Sequence, residues 1–219
     1  CANTNAVWNI DLDEAYATEQ ISIAPFPNMP PGSTPNALDL SPDGKTLLVA
    51  NADNNTVAVI EIEDDGKGEV EGFIPTGWYP TGVRYSKDGS KIFILSGKGL
   101  ASAANPRGRQ PGLNLAPEYI GSMLWGSLTT LETPTEGKLR EYTATALFVT
   151  PDTGKSQLSP SKAPLRSVIP RKVGAPSPIK HVFYVIRENR TYDQVLGDLP
   201  QGNGDPSLTL FGENTTPNA

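Results

Sequence analysis

Short runs of alternating apolar and polar residues, separated by turn sequences, dominate the first half of the chain. Leu38 and Leu40 alternate with polar neighbours, and Val83 and Tyr85 do the same. A period of two places every second side chain on one face of a β-strand. An Asp-Gly pair follows each run, and this pair favours tight hairpin turns. The pattern predicts turns at 43–44 and 88–89, returning strands at 45–49 and 91–95, and a third strand at 56–60.

These hairpins belong to an internal repeat with an offset of 45 residues. Residues 35–49 (PNALDLSPDGKTLLV) correspond to residues 80–94 (PTGVRYSKDGSKIFI). A second element recurs as well, because residues 5–11 match residues 55–61 and, more weakly, residues 126–132. Four short antiparallel strands in roughly 40–45 residues are typical of a β-propeller blade. We therefore expect a mostly β protein with about three blades' worth of antiparallel strands.

The repeat resembles β-propeller repeats of the YVTN type. The resemblance rests on the Ser-Pro-Asp-Gly-Lys turn at 41–45, the Val-Ala-Asn strand end at 49–51 and the Asn-Thr-Val-x-Val-Ile strand that starts at Asn55. It covers residues 1–98 well and residues 99–150 loosely. It implies a propeller region over 1–150 with an irregular insertion at 98–124.

Two expectations concern the N-terminal end and the tryptophans. Residues 1–3 (Cys-Ala-Asn) align with residues 49–51, which predicts that Cys1 is a strand residue and that the chain opens inside a blade. Because propellers close with about four to eight blades, we interpret the sequence as a piece of a longer protein. The three tryptophans are predicted to pack within the blades: Trp8, Trp78 and Trp125.

Composition excludes several classes of protein. The net charge of −6 argues against nucleic-acid binding, which needs a positive surface. One cysteine and one histidine exclude a disulfide framework and a multi-histidine metal site. No apolar run approaches the roughly 20 residues of a transmembrane helix, and no signal peptide is visible. Residues 151–178 hold six prolines and five basic residues against one acidic residue, which predicts a basic Pro-rich linker.

The pattern of apolar and polar residues changes after this linker. Residues 179–186 form an almost continuous apolar run, which favours a strand buried on both faces, as in a parallel α/β sheet. Asn189 or Thr191 is then placed to cap a short helix that ends at Gly197. Glu188 and Asn189 would lie beyond the carboxyl end of the strand, where open α/β sheets bind ligands.

This segment resembles the start of the phosphoesterase family that includes acid phosphatases and phospholipase C enzymes, within the alkaline-phosphatase-like superfamily. The matching sequence is HVFYVIRENRTYDQVLGD at 181–198, followed by GNGDPS at 202–207 and TPN at 216–218. The resemblance covers about the last 40 residues and implies that 179–219 is the N-terminal start of an α/β phosphoesterase domain, with its first strand, turn and helix.

The resemblance also implies the chemistry. It places a divalent metal ion on Glu188 and Asn189, whose carboxylate and amide oxygens are hard ligands. Arg187 and Arg190 are weaker candidates for contact with a phosphate ester. The nucleophile, a Ser or Thr, is expected downstream of Ala219, so we expect this chain alone to be inactive. A periplasmic or extracellular setting in a bacterium follows from the resemblance as well.

Three alternatives stay open. Glu188 and Asn189 could merely cap a helix and solvate a strand end. The propeller could be a binding or scaffold module, or part of a cell-surface protein, without catalytic activity. A repeat protein of a surface layer would show further 45-residue repeats and no second domain. Chelator-sensitive hydrolysis would separate the enzyme from the binding module.

Overall fold

Antiparallel sheets make up most of the regular structure in the computed structural model. It describes residues 1–27, 29–63, 66–101, 120–150, 167–170, 174–186 and 188–217. The chain divides into two compact units, Cys1–Ala103 with Leu124–Pro160, and Ala104–Met123 with Ser161–Ala219. The strands of the described residues are β1 (Ala6–Asp11), β2 (Tyr16–Ser22), β3 (Pro35–Leu40), β4 (Thr46–Asn51), β5 (Thr56–Ile62), β6 (Gly68–Pro75), β7 (Pro80–Tyr85), β8 (Lys91–Ser96) and β9 (Ser127–Glu132).

The strands form three consecutive antiparallel sheets in the first unit. The first sheet is β1–β2, the second is β3–β4–β5–β6, and the third is β7–β8–β9. Within each sheet, every strand pairs with the next one along the chain, as in the blades of a propeller. This arrangement confirms a mostly β, partial-propeller fold with about three blades' worth of strands, and β9 coincides with the weak third copy of the repeat.

The two hairpins of the repeat have the same register. Leu38 pairs with Val49 in one hairpin, and Val83 pairs with Ile94 in the other, 45 residues later. Both turns place a glycine at positive φ, Gly44 at 77° and Gly89 at 72°. This conformation is open to glycine without the steric cost that a side chain would add.

An aspartate closes each of these turns in the same way. Asp43 accepts a hydrogen bond from the Ser41 hydroxyl at 2.6 Å, and Asp88 accepts one from the Ser86 hydroxyl at 2.6 Å. These contacts stabilise the carboxylates, so the pKa of Asp43 is lowered and that of Asp88 falls to about 2, with the serine hydroxyl as the main cause in both turns.

The core lies on both faces of the second sheet. One face packs against the third sheet through a cluster that includes Leu48, Val59 and Ile94. The other face packs against the first sheet through a cluster that includes Val49 and Ile60. Successive residues of β4 and β5 thus enter opposite clusters, which explains why both strands are apolar without interruption.

An ionic contact joins the second sheet to the third at β3 and β7. Asp39 accepts a hydrogen bond from Arg84 Nη1 at 2.6 Å and a second one from the backbone N–H of Tyr85 at 2.7 Å. The Asp39 side chain is mostly buried, whereas that of Arg84 is largely exposed. The carboxylate therefore satisfies a backbone donor of the neighbouring sheet as well as pairing with the arginine.

Helix α1 (Glu136–Val149) is an element that the repeat does not predict. Thr135 caps its first turn by accepting a hydrogen bond from the Lys138 N–H at 3.3 Å. The helix packs on β6, where Thr143 Oγ1 accepts a hydrogen bond from the Phe73 N–H at 2.9 Å. A Cβ atom at Gly72 would overlap the Thr143 hydroxyl, so the absence of a side chain allows this close approach. The helix therefore covers the outer strand of the second sheet.

Two predictions for the described residues are wrong. Cys1 is exposed and precedes a short 3-10 helix (Ala2–Thr4) instead of lying in a strand, and its amino group donates to the carbonyl of Ala6 at 2.9 Å. The apolar run 179–186 is not a strand, and the side chains from Val182 to Ile186 are exposed. An extended segment becomes a strand only when another strand hydrogen-bonds to it, and no described strand pairs with either segment.

Candidate functional site

Glu188 and Asn189 lie in the second unit, immediately before helix α2 (Tyr192–Leu196). Both residues are exposed. The helix begins after Thr191, whose backbone N–H donates to Gln194 Oε1 at 3.3 Å, and Gly197 follows its last residue. Of the two predicted caps, the structure uses Thr191, which leaves the side chains of Glu188 and Asn189 outside the helix cap.

The segment after α2 is held by carboxylates that accept backbone hydrogen bonds. Asp193 Oδ1 accepts from the Asp205 N–H at 2.8 Å, and Asp198 Oδ2 accepts from the Glu213 N–H at 3.1 Å. Asp205 in turn accepts from the hydroxyl and the N–H of Ser207, and these contacts lower its pKa. These three aspartates therefore organise the loop after α2.

The structure describes one of the two arginines that are predicted to contact a phosphate ester. Arg187 lies outside the described residues. Arg190 is exposed, and its guanidinium carbon lies 5.4 Å from the ring centroid of Phe211. This contact is within the range of a cation–π interaction, which holds the guanidinium beside the loop that Asp193 and Asp198 organise.

The donors at Glu188 and Asn189 suit a hard divalent cation, but two oxygen donors are fewer than the four to eight ligands that such ions take in proteins. Among the described residues, no group of three or more His, Cys, Asp or Glu side chains comes together in a way that could hold a metal ion. The described part of the chain therefore contains no complete metal site, and the role of Glu188 and Asn189 as metal ligands stays a prediction.

A concave surface lies in the first unit, between β3 and the third sheet. It encloses about 630 Å³ and is lined mainly by apolar side chains, among them Leu38, Phe93, Leu95 and Leu128. Leu38, Leu95 and Leu128 are each more than half exposed. Within their strands these leucines alternate with less exposed residues, so the surface that they line is apolar and open to solvent.

The tryptophans correct another expectation. Trp8 is 41% exposed, Trp78 is 52% exposed and Trp125 is 85% exposed, so none of them is a core residue of the blades. Sequence alone offered a weak signal of this, because Trp78 and Trp125 stand next to glycines and outside the alternating strands. The described residues contain no helix that is long and apolar enough to cross a membrane.

Comparison with known proteins identifies similar folds over part of the chain. No family model and no curated protein matches the sequence. Hydrazine synthase of Kuenenia stuttgartiensis is similar over 42% of this chain and 23% of its own length, with 24% identity and a TM-score of 0.35. A putative 6-phosphogluconolactonase from Bacteroides uniformis is similar over 44% of this chain and 28% of its own length, with 19% identity and a TM-score of 0.38.

A second putative 6-phosphogluconolactonase, from Bacteroides fragilis, has 18% identity and a TM-score of 0.37 over 44% of this chain and 27% of its own length. The chain thus spans less than a third of the length of each of these solved structures. The propeller assignment accordingly rests on the sheets, registers and repeat of the chain itself.

Proposed function

We propose that the chain is part of a metal-dependent phosphoesterase in which propeller blades precede the catalytic region. The observation that carries this proposal is the sequence of residues 181–198, which resembles the start of that family over 18 consecutive positions. Glu188 and Asn189 are exposed and precede Arg190 and the helix cap Thr191, so their side chains are accessible to a metal ion.

In this proposal Glu188 and Asn189 supply two oxygen ligands to a divalent metal ion. When bound, such an ion neutralises a phosphoryl oxygen and lowers the pKa of an attacking hydroxyl. Arg190, and Arg187 beside Glu188, contribute positive charge to a bound phosphate ester. The remaining ligands and the Ser or Thr nucleophile come from residues beyond Ala219 in a longer form of the protein, which functions in the periplasm or outside the cell.

The test uses a longer polypeptide that contains these residues in its natural context. It is assayed with p-nitrophenyl phosphate and bis-p-nitrophenyl phosphate, before and after treatment with a chelator and re-addition of divalent ions. We expect hydrolysis to need the metal, and the variants Glu188→Gln and Asn189→Ala to lose at least about tenfold in activity or in metal affinity.

The matched control is Glu213→Gln, which removes a carboxylate from the same unit. The Glu213 backbone N–H, and not its side chain, makes the recorded hydrogen bond to Asp198, so this variant should keep full activity. Hydrolysis that survives the chelator, or that Glu188→Gln leaves unchanged, would show that the proposed metal site is wrong.

A second candidate function is a binding scaffold without catalysis. The apolar concave surface beside Leu95 and Leu128 favours it, because contiguous exposed apolar patches mark interaction sites. If the longer polypeptide hydrolyses neither substrate with any divalent ion, while Leu95→Ser or Leu128→Ser abolishes its retention of a protein partner, the scaffold is the function.

A further inference from the structure

A second cavity in the first unit is lined by residues that neither proposed function uses. It encloses about 370 Å³ and lies where the turn between β4 and β5, the connection from β6 to β7 and the end of α1 meet. This volume falls in the range of roughly 300–1,000 Å³ that is usual for small-molecule sites. Asp53 is the one charged residue among its lining residues.

Asp53 is held in place at this cavity with half of its carboxylate engaged. Its Oδ2 atom accepts a hydrogen bond from the Thr34 hydroxyl at 2.5 Å, and its backbone N–H donates to the Ser33 carbonyl at 3.2 Å. Oδ1 has no hydrogen-bond partner among the described residues. The residue therefore presents a negative charge with a free acceptor atom in a fixed position.

Trp78 lines the same cavity and is fixed through its backbone. Its N–H donates to the Gly99 carbonyl at 2.6 Å, and its carbonyl accepts from the Lys98 N–H at 3.1 Å. The next residue, Tyr79, donates its N–H to Asn55 Oδ1 at 2.8 Å. The first two bonds hold the Trp78 backbone to residues 98–99 after β8, and the third holds the segment to the β4–β5 turn. The Trp78 side chain is nevertheless 52% exposed. A large ring is thus held at the cavity without being buried by the fold.

The C-terminal end of α1 adds partial negative charge to this cavity. Val149, the last residue of the helix, and Thr150, its C-cap, both line the cavity. The last carbonyl groups of a helix lack intrahelical partners and carry the negative end of its dipole. No basic residue lies in the last turn of α1, so nothing in that turn compensates this charge.

The carboxylate, the aromatic ring and the helix end all favour the same kind of ligand. Each attracts a positive charge, and a tryptophan face is the strongest aromatic partner for alkylated ammonium groups. Residues 1–150 carry 10 basic and 18 acidic side chains, so the wider field of the region also attracts cations. We propose that this cavity binds a small organic ammonium ion, with Asp53 pairing with its charge and Trp78 contacting its alkyl groups.

The experiment compares choline with 3,3-dimethylbutan-1-ol, which has the same shape but no charge. Each is titrated into the complete 219-residue chain, and binding is followed by the NMR resonances of the three indole N–H groups and by calorimetry. We expect saturable binding of choline that shifts the Trp78 resonance, and binding of the neutral alcohol that is at least about fivefold weaker.

Two variants and two matched controls assign the binding to this cavity. Trp78→Leu and Asp53→Asn should each weaken choline binding at least about fivefold. The amide oxygen of the new asparagine can still accept the Thr34 hydroxyl, so the turn is retained. Trp8→Leu removes a partly exposed indole from β1, and Glu61→Gln removes a charge about 20 Å along β5 from the turn. Both controls should bind choline like the unmodified chain.

Three results would overturn the proposal. Equal affinities for choline and the alcohol would show that the cavity recognises shape and not charge. Equal losses in Trp78→Leu and Trp8→Leu would place the binding elsewhere. An absence of saturable choline binding by a chain whose circular dichroism shows folded β-structure would exclude the ammonium site. None of these results bears on the metal site at Glu188 and Asn189, because the variants lie in the other unit.

Discussion

Replacing Thr143 with valine tests how α1 is attached to the second sheet. The Thr143 hydroxyl donates to the Leu139 carbonyl at 2.8 Å within the helix and accepts the hydrogen bond from the Phe73 N–H at 2.9 Å. Phe73 is 6% exposed, so its N–H has no ready access to water once the hydroxyl is removed. Valine keeps the branched shape of threonine, and the change therefore isolates the loss of the acceptor.

The expected loss of stability follows from this one contact. Leaving a buried donor without a partner costs about 1–3 kcal/mol. The Thr143 oxygen lies so close to Gly72 that a Cβ atom there would overlap it, and the methyl group that replaces this oxygen is larger. We therefore expect the free energy of unfolding to fall by about 2 kcal/mol. This corresponds to a decrease of roughly 1 M in the urea midpoint for an m-value of about 2 kcal/mol/M.

The assay is urea unfolding of the 219-residue chain, followed by circular dichroism and tryptophan fluorescence. Thr145→Val is the matched control, because Thr145 is exposed and its hydroxyl donates only to the Glu141 carbonyl of its own helix. The control should change the free energy of unfolding by less than about 0.5 kcal/mol. If Thr143→Val and Thr145→Val lower the midpoint equally, the hydrogen bond from β6 does not hold α1 to the sheet.

Three further predictions concern the sheet and its turns. Gly72→Ala should lower the free energy of unfolding by more than about 1 kcal/mol in the same urea assay, because the new Cβ would collide with α1. The control Gly137→Ala, at an open position of α1, should cause no loss of stability. Ser86→Ala should raise the pKa of Asp88 from about 2 towards its ordinary value of 3.8, as measured by NMR titration of the carboxyl carbon. Because the folded-state pKa is depressed, the stabilisation by this turn is present above pH 3.8 and is lost as the pH falls towards 2. Burial raises the pKa of Tyr85 to about 12. The stability that this neutral side chain contributes is therefore present below pH 10 and should decline between pH 10 and 12. An ultraviolet titration that finds Tyr85 ionising near pH 10 would contradict its burial.

Elements defined by local signals were predicted well from the sequence. The Asp-Gly turns at 43–44 and 88–89, the strands on either side and the shared register of Leu38 with Val49 and Val83 with Ile94 all follow from residues within one hairpin. Helix α2 has the predicted limits, with Thr191 as its cap and Gly197 after its last residue. Backbone preferences and hydrogen bonds of neighbouring residues decide these features.

Helix α1 was missed although its sequence carries a signal. Thr135 stands at the cap, and Leu139, Tyr142 and Ala146 recur at helical spacing. The repeat does not predict this helix, because a propeller blade consists of strands. The helix is favoured in the structure because its Leu139 and Ala146 side chains enter the two core clusters, one on each face of the second sheet.

The candidate site residues show the same difference between features set by neighbouring residues and features set by tertiary packing. The exposure of Glu188 and Asn189 agrees with a position outside the helix, because Thr191 takes the cap. The cavity at Asp53 and Trp78 was not predicted, since these residues are 25 positions apart in the sequence and meet only where a turn, a loop and the end of α1 converge. No local pattern specifies such a meeting point.

The sequence by itself determined the repeated hairpins, their turns and registers, and the short helix that ends before Gly197, because each depends on the conformational preferences of adjacent residues. Only the tertiary structure decided which apolar residues are buried. The run 179–186 has the composition of a buried strand, yet no described strand pairs with it and its side chains stay exposed. Trp78 likewise lies at a cavity and not in a blade core. Burial and strand pairing require a partner surface, and the position of that surface is set by how the sheets and α1 pack together.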